Sequence, residues 1–344
     1  MPYYPTGDVL IPEPWSYRNI LGRNGGFEVW QRGAGGSALF VIAAATGQYT
    51  ADGWFAFSAG NTFSVGQDAG LTNGSRSHLY LIRSAGQTST APIHLEYPLD
   101  TDEIVPMRNS IVTLSFTALR GADYSSAGGT LHCELTVGSG APARLTGASY
   151  TGPTTVINDN PLLTTTAQRF IFTSSVAILA NATQASVLFS MSPTGTAGAA
   201  DFYRIDDMQL EIGSVATPFE RRPFESELLA CKRHYQKSFP YRIAPVQNAG
   251  SESAQASGQT ADASSDMFLP GVPLIPSMRA VPTYTLFNPL VANEHVRNLS
   301  TNTDCSATMA YIGGENTFNV RCTSPAGSGP GNLLVYHWTA DAGI

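Results

Sequence analysis

Charge is scarce in this chain: only 13% of its 344 residues are Asp, Glu, Lys or Arg, about half the usual share. Basic residues number 19 against 26 acidic ones, a formal net charge of −7. The cationic field that counterion release from nucleic acid requires is therefore missing, which excludes nucleic acid as an expected partner. Lysine is nearly absent. Lys232 and Lys237 are the two present, and every other basic residue is an arginine, whose planar fork suits interfaces and bidentate pairing. A surface this poor in charge is expected to meet other protein. The longest apolar run, Ala38 to Ala45, is far short of the roughly 20 residues of a membrane span, so membrane insertion is not expected either. No basic and apolar leader opens the chain at Met1-Pro2-Tyr3-Tyr4-Pro5, and synthesis in the cytoplasm with release by lysis is the expectation. Disulfides are disfavoured there. Cys133, Cys231, Cys305 and Cys322 are too scattered for a zinc pattern, and Cys305 with Cys322 is the pair that could close in an oxidising compartment.

Catalytic motifs are missing too. There is no Gly-x-Ser-x-Gly elbow, no His-Glu-x-x-His helix and no P-loop, and Gly22-Arg23-Asn24-Gly25-Gly26 follows no convincing strand. His94 and His132 fall on the polar faces of expected strands, where a solvated histidine is the ordinary outcome, and the other histidines form no spacing that chemistry requires. Two carboxylates at glycosidase separation are something a linear sequence does not exclude, with Glu28, Asp52, Asp206, Asp207 and Glu211 as the candidates. Glu28 near the start of its domain and Asp206 or Asp207 near its end could instead converge on a hard cation, so a structural Ca²⁺ held by Glu28 and Asp206 is the metal expectation.

What is present is turn chemistry and alternation. The 33 Gly and 22 Pro separate short β-branched runs, and the class reads as all-β. Residues 1–22 interleave Pro2, Pro5, Pro12 and Pro14 with Tyr3, Tyr4, Trp15 and Tyr17, which forbids helix and suggests an extended arm that docks its rings on another surface. From 23 to 222, period-two runs such as Ile93/Leu95/Tyr97, Val112/Leu114/Phe116/Ala118 and Leu131/Cys133/Leu135/Val137 predict amphipathic antiparallel strands in a jelly-roll β-sandwich. Between Tyr203/Ile205 and Met208/Leu210/Ile212 the parity changes, which predicts a bulge near Asp206–Asp207. Phe224, Leu228, Cys231, Tyr235 and Phe239 recur at helical spacing behind Pro223 and before Pro240, predicting one linker helix over 223–240. A smaller C-terminal β-domain follows over 241–344, with Asn248 to Asp266 expected as a loop and strands expected at Val281–Phe287, Thr317–Arg321 and Leu333–Thr339. It is thin on core, and oligomerisation is the simplest remedy. Rings at Tyr49, Trp54, Tyr80 and Tyr97 are the candidates to stack on sugar faces.

These residues carry a resemblance. Asn24-Gly25-Gly26-Phe27-Glu28-Val29-Trp30-Gln31-Arg32-Gly33 and Tyr49-Thr50-Ala51-Asp52-Gly53-Trp54-Phe55 are similar to the opening of a module of bacteriophage tail-fibre and related virion proteins. Ile205 to Gly213, Ala216 to Phe224 and Leu228 to Phe239 resemble the junction in that group between a carbohydrate-binding-module-like jelly roll and a C-terminal β-domain, and His337 to Ala342 resembles its close. The resemblance implies a non-enzymatic virion structural protein made in the bacterial host cytoplasm: a homotrimeric tail fibre or spike at the virion surface, bound to other phage proteins of tail or capsid through the arm. It also implies contact with host cell-surface glycan. A head fibre or capsid decoration protein, and a glycan-depolymerising tailspike enzyme, are the alternatives.

Overall fold

The structure, a computed structural model, describes residues 18–33, 39–147, 150–259 and 262–344. Tyr3, Tyr4, Trp15 and Tyr17 lie outside the described residues. The chain is all-β, a jelly-roll sandwich followed by a linker helix and a smaller β-unit. The sandwich strands are β1 (Phe40–Ile42), β2 (Thr46–Tyr49), β3 (Phe55–Ser58), β4 (Phe63–Asp68), β5 (His78–Arg83), β6 (Ile93–Leu99), β7 (Val112–Arg120), β8 (His132–Gly138), β9 (Thr154–Asp159), β10 (Gln168–Thr173), β11 (Gln184–Met191) and β12 (Phe202–Ile212), of which β6, β7, β8, β10, β11 and β12 arise from the period-two runs. They form two antiparallel sheets, in the orders β1-β4-β5-β12-β7-β10 and β2-β3-β6-β11-β8-β9. Alternation turns Val112, Leu114, Phe116 and Ala118 of one sheet and Leu95, Tyr97, Leu135 and Phe189 of the other into a single core.

The outer faces are less open than alternation implies. Glu96 points away from that core yet is fully buried, because the amides of Leu145 and Thr146 and the hydroxyls of Thr146 and Ser186 all donate to its carboxylate. Residues 141–147 are thereby pinned over the second sheet, and four donors offset the cost of burying the group.

The opening turn is tied to the last strand. Met208 N–H donates to the Gly25 carbonyl at 2.9 Å, and a Cβ on Gly25 would stand 2.4 Å from the Met208 carbonyl oxygen, so only glycine fits. Met208 reaches that position because the register of β12 against β7 shifts between Asp206 and Gln209, with Asp207 at φ 50°, which is the bulge that the change of parity predicts. The segment 18–22, expected to belong to the free arm, is instead part of the sandwich. Ile20 N–H donates to the Leu210 carbonyl at 2.7 Å and Leu21 is fully buried.

Two short helices accompany the strands, α1 (Thr101–Ile104) after β6 and α2 (Phe224–Lys232) after β12. The expected helix over 223–240 is cut short: Tyr235–Lys237 form a strand, β13, and Cys231 is the only buried residue of α2. Tyr235 and Phe239 are buried, but by sheet pairing and ring stacking, so their helical spacing from Cys231 is a coincidence.

The C-terminal unit continues with β14 (Gln255–Gly258), β15 (Asp266–Phe268), β16 (Val272–Pro273), β17 (Thr283–Phe287), β18 (Arg297–Asn298), β19 (Thr303–Asp304), β20 (Ser306–Tyr311), β21 (Thr317–Thr323) and β22 (Leu333–Asp341). Part of the expected loop 248–266 is thus strand β14. β22 is the spine, flanked by β13 and β17 along one half and by β14 and β18 along the other. A second sheet, β15-β21-β16 with β20 on the far side of β21, packs on it through Met267, Val272, Phe318, Val320, Leu334, Tyr336 and Trp338.

Candidate functional site

The inward residues of β22 leave Thr339 and Asp341 on its outer face, turned toward β2 and β3 of the sandwich. Between these elements runs a cleft of about 770 Å³. Arg32 is its keystone. Its guanidinium lies 3.9 Å from the Tyr235 ring and 4.9 Å from the Tyr49 ring, donates to Asp341 at 2.7 Å and stands 3.6 Å from Asp52. Asp52 is buried, which raises its carboxyl pKa, although Arg32 and the Gln31 amide oppose that. Tyr49 donates its hydroxyl to the Ile344 carbonyl and sets its ring edge-on to Phe55 at 5.2 Å. The opposite wall follows from register: Thr283 pairs with Asp341, Thr285 with Thr339, and Phe287 with His337. Half-exposed rings of Phe40, Tyr49 and Phe287 therefore alternate with threonine hydroxyls and an Arg–Asp pair. Lys237, beside Thr339 on β13, is lowered to about 8 by burial and donates to the Ile243 carbonyl at 2.6 Å. Flat apolar surface with fixed donors and acceptors suits a polyhydroxylated ligand, and no nucleophile paired with a base stands among these lining residues.

The expected site residues separate. Trp54 and Tyr97 present no ring to a ligand, because both are fully buried: Trp54 packs 4.9 Å from Phe27 and 5.1 Å from Tyr97, and the Tyr97 hydroxyl donates to Glu103 at 2.7 Å. Tyr49 lines the cleft. Tyr80 is half-buried in a different pocket of about 540 Å³, with Glu28, Arg76, Phe224 and Arg242, and its ring meets Phe202 edge-on at 5.0 Å.

Glu28 and Asp206 do not make the expected calcium site. Glu28 faces the guanidinium of Arg76 at 3.3 Å, while Asp206 accepts the Leu71 amide at 2.8 Å and the Asp207 amide at 2.7 Å. Burial, with Asp207 beside it, raises Asp206 to about 6. A hard cation needs six or more oxygens; both Asp206 oxygens and one Glu28 oxygen are taken by donors, and no group of three His, Cys, Asp or Glu stands together among the described residues. Asp207 pairs with Arg221 at 2.9 Å and Glu211 accepts from Thr217, so the other carboxylate candidates have partners of their own.

Arg32, Thr283, Thr285, Phe287, Thr339 and Asp341 were not singled out by sequence. The two walls of the cleft lie at least 180 positions apart, and no local pattern joins them. For Tyr97 a signal existed, since it shares parity with Ile93 and Leu95 and so belongs inside.

A second set of contacts ties the units together. Asp100, at the N-cap of α1, accepts from Arg279 at 2.6 Å and from His234 at 3.0 Å, with Arg23 at 3.9 Å. Burial raises its carboxyl, but His234, Arg23 and Arg279 outweigh that and hold it well below the usual range.

No family model matches the sequence, and no curated protein matches it. Solved structures with partial similarity include the enzymatically active domain of tailspike protein 4 of bacteriophage CBA120, at 12% identity and a TM-score of 0.32, over 47% of this chain and 19% of that one. A CBM4 structure is similar at 16% identity and a TM-score of 0.32, over 56% of this chain and 99% of its own. The CBM22-1 xylan-binding domain of Paenibacillus barcinonensis Xyn10C is similar at 16% identity and a TM-score of 0.31, over 51% of this chain and 97% of its own. The chain thus spans about a fifth of the tailspike structure that it partly matches.

Proposed function

We propose that this chain is a non-enzymatic structural protein of a bacteriophage virion, a trimeric tail fibre or spike component that holds host-surface glycan in the cleft between its jelly roll and its C-terminal β-unit. The cleft carries the reading: rings of Tyr49, Phe40 and Phe287 beside the hydroxyls of Thr283, Thr285 and Thr339 suit a sugar's apolar face and its hydroxyls together. The carboxylates that a depolymerase would need are engaged separately by Arg76, Arg221, Gln31 and Thr217, which favours binding over hydrolysis. Self-association is supported by apolar side chains left exposed on the C-terminal unit, among them Phe268, Ile275, Val281, Met309 and Ile312. The arm upstream of residue 18 takes the virion-docking role, and the jelly roll of 23–222 and the β-unit of 241–344 project outward.

Light scattering on the purified chain tests the assembly: a mass of three chains is expected, and a monomer at micromolar concentration would refute the trimer. Electron microscopy of particles decorated with an antibody to the chain tests the location. Label at the tail is expected, and label on the capsid would favour the head-fibre alternative.

A further inference from the structure

All four cysteines are buried free thiols. Cys133 lies in the sandwich core and Cys231 in α2, and burial raises both thiols. Cys305 and Cys322 differ. They share the core of the C-terminal unit, with their thiols in side-chain hydrogen-bonding contact.

Register explains the contact. Ser306 stands opposite Thr323 in the β20–β21 pair, so the residue before each turns to the inner face. Thr323 and Arg321 reach outward to Asp266, whereas Cys305 is 1% exposed and Cys322 fully buried. Diagonal positions of this kind are ordinarily about 7–8 Å apart between Cα atoms, just beyond the disulfide range. Here the register shifts between Ser306 and Met309, and such an irregularity twists and bends the strand at the point where the thiols meet.

We propose that Cys305 and Cys322 are an oxidative modification site, which a small-molecule disulfide in an oxidising medium converts to an intramolecular disulfide. The Cys305 thiolate attacks one sulfur of the oxidant and expels one of its halves as a thiolate. The Cys322 thiolate then attacks the Cys305 sulfur of the mixed disulfide and expels the other half. Two S–H bonds are lost and one S–S bond forms; the two protons end on the released thiols, which carry the two electrons. The hydrogen bond from Cys322 lowers the Cys305 thiol pKa, and because Cys305 is 1% exposed the first attack takes place when this corner of the unit opens locally. The product ties the corner where the chain passes from β19 to β20 onto β21, joining the two sheets of a unit with a small core. The chemistry stands whether or not the virion reading does.

The test incubates the folded full-length chain with oxidised glutathione at pH 8, followed by alkylation in denaturant and peptide mapping. Two of the four thiols should be lost, a peptide pair linked through Cys305 and Cys322 should appear, and the melting temperature should rise by about 5 °C or more, reversibly with dithiothreitol. Cys322→Ser should abolish that rise. Four alkylatable thiols, a glutathione adduct without a link, or a link through Cys133 or Cys231 would overturn the proposal. The wild-type thiol count decides it alone if the variant does not fold.

Discussion

Asp100→Asn tests how the two units are joined. The substitution keeps the shape of the side chain and an acceptor for the α1 N-cap, but removes the charge that Arg279 and His234 reach from the C-terminal unit. Two charge-assisted bonds are weakened, and Arg23, with its side chain 3% exposed, keeps Glu103 at 3.2 Å and the Pro98 carbonyl at 3.3 Å as partners. At about 1.5–3 kcal/mol for a hydrogen bond to a charged group, and with Glu103 compensating in part, a loss of about 2–3 kcal/mol is expected. For a chain of this size that corresponds to a fall of about 3–4 °C in melting temperature, read by differential scanning calorimetry. Because the lost bonds cross between units, the C-terminal transition should separate from that of the jelly roll. The pH dependence has a definite sign. The folded carboxyl lies below its unfolded value of about 3.9, so its stabilisation is complete above that pH and is lost as pH falls through the folded value. The carboxyl's share of the gap between wild type and variant should therefore be present at neutral pH and close only under strong acid, after the buried His234 has titrated. A shift under 1 °C at pH 7, or a gap that does not narrow under strong acid, would refute the role given to Asp100.

Further expectations concern the sandwich and the arm. Gly25→Ala should destabilise by about 2 kcal/mol or more, because the new Cβ would collide with the Met208 carbonyl; an unchanged urea midpoint would contradict the tie between the opening turn and β12. Glu96→Ala should release the segment 141–147, seen as at least tenfold faster hydrogen exchange at the Leu145 and Thr146 amides, and unchanged protection there would show the segment held by other contacts. Deleting residues 1–17 should abolish incorporation into particles while leaving the melting temperature within about 1 °C. The cut stops there because Leu21 is core, and incorporation of the truncated chain would remove the anchoring role.

Strands β6, β7, β8, β10, β11 and β12 were legible because their alternation is sustained, whereas β1–β5 and β9 went unread, and the bulge was legible because parity breaks at Asp206–Asp207. The linker helix was over-read. A 3.6-residue period extended through Tyr235 and Phe239, but β22 offers Tyr235–Lys237 a sheet edge, and that pairing prevails over helical propensity. The free-arm reading of residues 18–22 failed for a related reason: Ile20 looks isolated in sequence and finds its backbone partner 190 residues later, at Leu210 near the end of β12. At the site, Tyr49 was legible as one ring of an aromatic cluster with Trp54. Its partners were not, since Arg32, Thr283 and Asp341 meet only after two separate units dock. Trp54 shows the limit of reading aromatic clusters as ligand platforms, because its ring fills the core against Phe27 and its indole N–H donates to the Asn24 carbonyl at 3.2 Å.

The most direct measurement is the affinity of the purified chain for its host's surface polysaccharide, by titration calorimetry, with the polymer length recorded before and after. Binding without shortening of the polymer is expected, weakened at least about tenfold by Tyr49→Ala and retained by Tyr49→Phe, which keeps the ring. Equal affinity in wild type and Tyr49→Ala, or progressive cleavage of the polysaccharide, would contradict glycan recognition at the cleft between the two units.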